Sequence, residues 1–214
     1  MRLFFITCLL FTISAQSQNE TDFTDEVASI TLKYDSIWEP TQETTVFTGS
    51  SSVRLWSNLQ ELFPEHQIVN SGFGGSETDD LLEHLDALVL RYHPKKVFIY
   101  EGDNDISKKK KLRAIIKAFD GIISEVKAKD NTTKIVLISP KPSISRWHLR
   151  RKYKRLNKRL RKRCETDDTL EFVNVWDVML DKRKLKRNLF IEDGLHMNDE
   201  GYQLWYAVIK NHME

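Results

Sequence analysis

Four short segments of the chain carry groups that could do chemistry together. Gly49-Ser50-Ser51-Ser52 places hydroxyls where an apolar run gives way to helical spacing. Asn70-Ser71-Gly72-Phe73-Gly74-Gly75-Ser76 offers backbone N–H groups that no side chain obstructs at its glycines. Tyr100-Glu101-Gly102-Asp103-Asn104-Asp105 brings an amide that donates without titrating, and Ile191-Glu192-Asp193-Gly194-Leu195-His196 sets a carboxylate three residues before an imidazole. An acid held on one ring nitrogen leaves the other free to take a proton from a serine hydroxyl and return it to a leaving group. N–H and amide donors nearby would then stabilise the negative charge that develops on a carbonyl oxygen.

Each segment also has an ordinary structural reading. A serine at a helix start is most often an N-cap, a glycine loop is often only a turn, and Asp-x-x-His can be a surface pair. The glycine loop lacks both the Gly-x-Gly-x-x-Gly spacing and the Gly-Lys-Ser/Thr ending of nucleotide sites. Glu101, Asp103 and Asp105 are hard-ligand types, but no calcium-loop spacing completes them, so no metal site and no cofactor are expected.

These segments need a frame that brings them to one place. Short β-branched and aromatic runs at 45–48, 67–70, 96–100, 134–139 and 171–174 read as strands. Helical spacing fills 53–63, 78–92, 106–129, 145–164 and 199–211 between and after them. Strands separated by helices imply a mostly parallel sheet with helices on both faces, whose ligand site lies beyond the carboxyl ends of the strands. The first three candidate segments follow the first three strands. Six of the eight glycines fall in these loops or beside His196, where backbone freedom is most needed.

Serine after the first strand, glycine after the second, asparagine after the third and Asp-x-x-His before the last helix resemble the SGNH hydrolases, also called GDSL esterases and lipases. The resemblance spans nearly all of the chain after its leader. It implies a three-layer α/β/α sandwich of flavodoxin-like type with a five-stranded sheet. It implies Ser51 as nucleophile, His196 as base and Asp193 as its orienting acid. The backbone N–H groups of Ser51 and Gly75 and the side chain of Asn104 would form the oxyanion hole. One position departs from the family pattern: its usual Gly-Asp-Ser is Gly49-Ser50-Ser51 here. The expected activity is hydrolysis of carboxylic esters, with small acyl groups on a carbohydrate or related ester foremost. A lysophospholipase, a thioesterase or an acyltransferase would use the same acyl-enzyme.

The remaining features bear on location and partners. Residues 1–17 read as a cleavable export signal, with an apolar stretch too short to span a membrane followed by small residues. Residues 18–40 read as a polar lead-in and 41–214 as the hydrolase domain, which would be secreted or periplasmic. Cys8 falls in the leader, leaving Cys164 without an intrachain partner. Of 214 residues 30% are charged, yet the net charge is only +2, so no global attraction to nucleic acid follows. Locally, 146–163 holds eleven Lys or Arg around an apolar stripe of Leu149, Tyr153, Leu156 and Leu160. That pattern is an amphipathic helix with a cationic face. The face is either simply solvated or a contact for an anionic envelope surface. The rival to an esterase is a polyanion-binding protein with an idle site on the same fold. The sequence gives no sign of oligomeric state.

Overall fold

Alternation of apolar side chains along five short runs builds the centre of the molecule. In the computed structural model, which describes residues 22–214, these runs are β1 (Thr44–Gly49), β2 (Gln67–Gly72), β3 (Lys96–Tyr100), β4 (Lys134–Ile138) and β5 (Leu170–Val173). They form one parallel sheet in the order β2-β1-β3-β4-β5. The export signal expected at 1–17 lies outside the described residues.

Successive side chains of a strand face opposite ways, and two separate cores follow. Val97 and Ile99 of β3 and Ile135 and Leu137 of β4 join one cluster, while Phe98, Tyr100, Val136 and Ile138 join the other. The first cluster is covered by α1 (Thr24–Asp35), α4 (Thr78–Glu83), α5 (Leu85–Leu88), α7 (Leu112–Lys129) and α8 (Arg150–Cys164). The second is covered by α2 (Ser51–Arg54), α3 (Leu59–Leu62) and the last long helix, α10 (Asp199–Ile209). The short helices α6 (Asp103–Ser107) and α9 (Val175–Val178) follow β3 and β5 directly. The three-layer sandwich expected from the sequence is therefore the observed architecture.

The helices differ in detail from the sequence pattern. The polar lead-in contains α1, because Phe23, Val27, Ile30 and Tyr34 recur at helical spacing and pack into the first core. The Phe23 ring meets Phe73 edge-on with centroids 5.0 Å apart. The helix expected over 106–129 is broken at 108–111, where Lys109 adopts φ 65°. The break frees Lys110 to reach Glu77, Asp79 and Asp105. The helix expected over 53–63 begins at Ser51 and is interrupted after Arg54.

The chain leaves β1 toward β2 and leaves β3 toward β4 in the opposite direction, so the strand order reverses between β1 and β3, and a crevice opens at their carboxyl ends. Gly49 pairs in register with Gly72 on one side and Tyr100 on the other, so the three strand ends are level. Gly49 has φ 121°, and a Cβ there would lie 2.0 Å from the Tyr100 carbonyl oxygen. Gly75 has φ 76° but nothing within 4 Å of such a Cβ. Gly49→Ala should thus combine backbone strain with a collision and cost about 3 kcal/mol or more. Gly75→Ala should cost only the strain, about 1 kcal/mol. Urea unfolding of both variants checks this ranking, and equal losses would contradict it.

Candidate active site

At the end of β1 the chain turns out of the sheet and starts α2. Ser50 N–H donates to Tyr100 O at 3.0 Å, and Phe73 N–H donates to Gly49 O at 2.8 Å, tying the first loop to the third and second. Ser50 is the residue before the helix, but its side chain caps none of the helical N–H groups. Ser51 is the first helical residue. Its N–H belongs to the first turn, where no intrahelical acceptor exists.

Ser51 Oγ lies 2.9 Å from His196 Nε2, although the two residues are 145 apart in sequence. His196 Nδ1 lies 2.5 Å from Asp193 Oδ2. A carboxylate can only accept, so Nδ1 carries the proton and Nε2 is left to accept from the serine hydroxyl. Asp193 Oδ1 takes the N–H groups of Leu195 (2.8 Å) and His196 (2.9 Å), so the carboxylate organises its own loop. Burial is the largest single influence and raises the Asp193 pKa, but these two N–H donors and the imidazole together outweigh it and hold the carboxyl below its ordinary value. It therefore stays ionised as pH falls into the mildly acidic range.

Packing of α10 on α2 places the histidine. The Tyr202 hydroxyl donates to Ser52 O at 3.0 Å, its ring stacks on Trp56 with centroids 5.5 Å apart, and Trp56 meets Trp205 edge-on. Asn198 caps α10 through Gly201 N–H, and Gly194 makes the turn before His196 with φ 62°. Ser145 N–H, from the loop after β4, donates to Gly194 O at 3.0 Å.

The donor side comes from the other two loops. Asn104 Nδ2 donates to Ser50 Oγ at 2.8 Å and to Ser76 O at 2.9 Å, so it sits between the residue before Ser51 and the residue after Gly75. Its carbonyl oxygen accepts from Arg146 at 3.0 Å. Ser50 thus occupies the family's usual aspartate position and offers a hydroxyl acceptor to Asn104. A hydroxyl can rotate away when a better acceptor arrives. Gly75 N–H makes no hydrogen bond among the described residues. The preceding Gly74 N–H is held by both oxygens of Glu26 in α1, each at 3.0 Å, and Glu26 also pairs with Arg54.

The five residues expected to act on an ester are brought to this crevice: Ser51, Asp193 and His196 on one side, Gly75 and Asn104 on the other. The three acidic side chains of the third loop do not converge. Glu101 faces Ser76, Asp103 faces Arg146 and Tyr153, and Asp105 faces Thr78 and Lys110. Among the described residues no group of His, Cys, Asp and Glu is arranged to hold a metal ion. Trp147 stacks on Trp176, with planes 14° apart, at the edge of the first core. Glu26, Lys141 and Arg146 are contributors that sequence reasoning missed. Only Arg146 had a signal, and that was as one more cation of a basic run.

The sequence model of the GDSL-like Lipase/Acylhydrolase family matches residues 35–204. A solved structure from Streptococcus pneumonia, provisionally described as a platelet activating factor, is 29% identical with a TM-score of 0.78, covering 90% of this chain and 94% of that one. A GDSL-like lipase from Bacteroides thetaiotaomicron is 21% identical with a TM-score of 0.76, covering 87% and 96%. An acetyl-xylooligosaccharide esterase from Geobacillus Stearmophilus is 20% identical with a TM-score of 0.65, covering 79% and 93%. No curated protein matches the chain.

Glu101 gives this site a distinct pH signature. It is fully buried, accepts the Ser76 hydroxyl on one oxygen at 2.6 Å and has no partner on the other. Burial, and then the nearby Asp105 charge, push its pKa well above the ordinary value. Below the unfolded-state pKa the acid is protonated in both states and costs nothing. As pH rises above that value only the native state keeps the proton, so stability falls progressively. Glu101→Gln removes this loss. The variant should match wild type near pH 4 and gain on it steadily toward pH 8 in urea unfolding, whereas a constant difference across pH would contradict a neutral Glu101.

Proposed function

Because the chain belongs to the GDSL-like lipase/acylhydrolase family, we propose that it is a serine esterase in which Ser51 forms an acyl-enzyme. The carrying observation is the continuous relay from Ser51 through His196 to Asp193, at 2.9 and 2.5 Å, beside donors on two neighbouring loops. The Ser51 hydroxyl passes its proton to His196 Nε2 as Oγ bonds to the ester carbonyl carbon. Charge moves to the carbonyl oxygen, where the N–H groups of Ser51 and Gly75 and the Asn104 amide receive it. The carbon–oxygen bond to the alcohol then breaks, and the alcohol leaves with the proton from His196. Water repeats the sequence on the acyl-enzyme, releasing the acid and restoring the serine. Asp193 holds the ring orientation and favours the imidazolium while it exists.

The substrate we infer is a small acyl ester, foremost acetyl, on a carbohydrate. Beside His196, where the departing alcohol would lie, is an open cleft of about 880 Å³ lined by the polar side chains of Ser57, Asn58, Asn198, Asp199, Glu200 and Gln203 and by the exposed Leu55 and Ile191. Hydroxyl and amide groups of this kind suit a polyol better than a lipid tail. An acetyl-xylooligosaccharide esterase uses the same fold. We further propose an exported enzyme working against an anionic glycan surface. What favours the anionic surface is α8, whose ten Lys and Arg lie mostly exposed and of which only Arg163 makes ion pairs among the described residues.

On a series of esters from acetyl to long-chain acyl, kcat/KM should be highest for acetyl, and Ser51→Ala should lose at least about 10⁴-fold in kcat without loss of thermal stability. Turnover of an acetylated anionic glycan should fall as salt rises while that of a small neutral acetate ester holds. Activity surviving in Ser51→Ala would overturn the nucleophile, and a long-chain optimum would overturn the substrate class.

A further inference from the structure

The loop between β4 and α8 carries two cations that the proposed chemistry does not use, and both lead to the site. Lys141 is 1% exposed, and its ammonium donates to Leu195 O at 2.7 Å, the carbonyl adjoining His196. It also lies 3.6 Å from Asp103 Oδ2. Asp103, beside Asn104, is buried as well. It accepts Arg146 at 2.5 Å and the Tyr153 hydroxyl at 2.6 Å on one oxygen, and the Tyr100 hydroxyl at 2.8 Å on the other. Arg146 then uses its second nitrogen on Asn104 Oδ1 at 3.0 Å. Burial alone would raise the Asp103 pKa, but Lys141 and Arg146 overcome it and hold the carboxyl low.

An asparagine side chain can place either its oxygen or its nitrogen toward a given point. The two ends differ little in shape and oppositely in charge. The Arg146 guanidinium on Oδ1 and the Ser76 carbonyl on Nδ2 decide the matter together, because the flipped amide would set its N–H groups against a cation and its oxygen against a carbonyl. Arg146 can do this only because its planar fork also reaches Asp103, a geometry that a lysine ammonium does not reproduce. On the other side, the Lys141 ammonium pins the peptide that joins Leu195 to His196. The same buried carboxylate anchors both cations, so the donor loop and the histidine loop share one reference point.

We infer that Arg146 and Lys141 are positioning residues, Arg146 fixing the Asn104 amide with Nδ2 toward the oxyanion and Lys141 fixing the loop that carries His196. The inference rests on the esterase reading of the site. It is tested by double-mutant cycles in kcat and KM on an acetyl ester, with the melting temperature of each variant recorded. Arg146→Lys should lower kcat about tenfold and leave KM within about twofold. In the Asn104→Ala background the same substitution should add almost nothing, whereas in the His196→Ala background it should keep its full effect. Lys141→Met should show the opposite pairing, lost in His196→Ala and kept in Asn104→Ala. Should Lys141→Met fail to fold, Lys141→Arg, which keeps the charge beside Asp103 but alters the bond to Leu195 O, takes its place in the same cycles with the same expected pairing. Equal losses in every background would mean general damage and overturn the positioning roles. Unchanged turnover in Asn104→Ala and His196→Ala would instead overturn the esterase reading, and this inference with it.

Discussion

At Gly49 the backbone leaves the sheet with φ 121°, and the next N–H, from Ser50, crosses to Tyr100 O at 3.0 Å. This crossing turns a parallel sheet into a site. It brings the end of β1 so close to β3 that a side chain at Gly49 has no room. Ser51, two residues on, is thereby set at the start of a helix, its N–H unpaired among the described residues and its hydroxyl on His196. Gly72 meets the same constraint from the other side, since a Cβ there would lie 2.4 Å from Arg54 N in α2. Ser51 is presented because two neighbouring strands end in close contact with the turn that carries it. The sheet order, with β1 between β2 and β3, is what makes all three ends available together.

Around that turn, buried and half-buried charges join loops. Asp103 with Lys141 and Arg146 ties the third strand loop to the histidine loop, and Glu26 ties α1 to the glycine loop. Charges taken out of water cost several kcal/mol each unless they are paired and hydrogen-bonded. Asp103 meets that demand with four partners. Such pairs contribute little net stability, but removing one partner is severe, so they hold geometry firmly. The cations of α8 are spread over solvent, where single pairs are worth at most about 1 kcal/mol. Their effect is a local field.

The strands and the reacting groups were legible in the sequence for the same reason: both depend on local residue type. Val97 to Tyr100 is an apolar run that only a buried strand would use, and Asp193 with His196 makes a pair whose chemistry is visible without a fold. Helix α1 escaped because its charged and hydroxylic residues dominate the composition of 18–40, although Phe23, Val27, Ile30 and Tyr34 keep a helical period. The break at 108–111 was hidden because lysines suit a helix and nothing in Lys108 to Lys111 announces a positive φ at Lys109. Lys141 was hardest to see. A lysine between two prolines reads as an exposed loop residue, and its burial depends on Asp103 and Leu195, which are 38 and 54 positions away. Ser50 illustrates the middle case: its departure from Gly-Asp-Ser was plain, but its hydrogen bond to Asn104 needed the folded loops.

The central claim is that Ser51, and no other serine of the cluster, is activated by His196. Reaction with a fluorophosphonate measures this most directly, because the reagent bonds covalently to a serine whose proton is being withdrawn and its phosphoryl oxygen enters the oxyanion hole. Peptide mass mapping should find one adduct, on Ser51, with its rate of formation falling at least about 10³-fold in His196→Ala. An adduct on Ser50 or Ser52, or labelling that is indifferent to His196, would contradict the account.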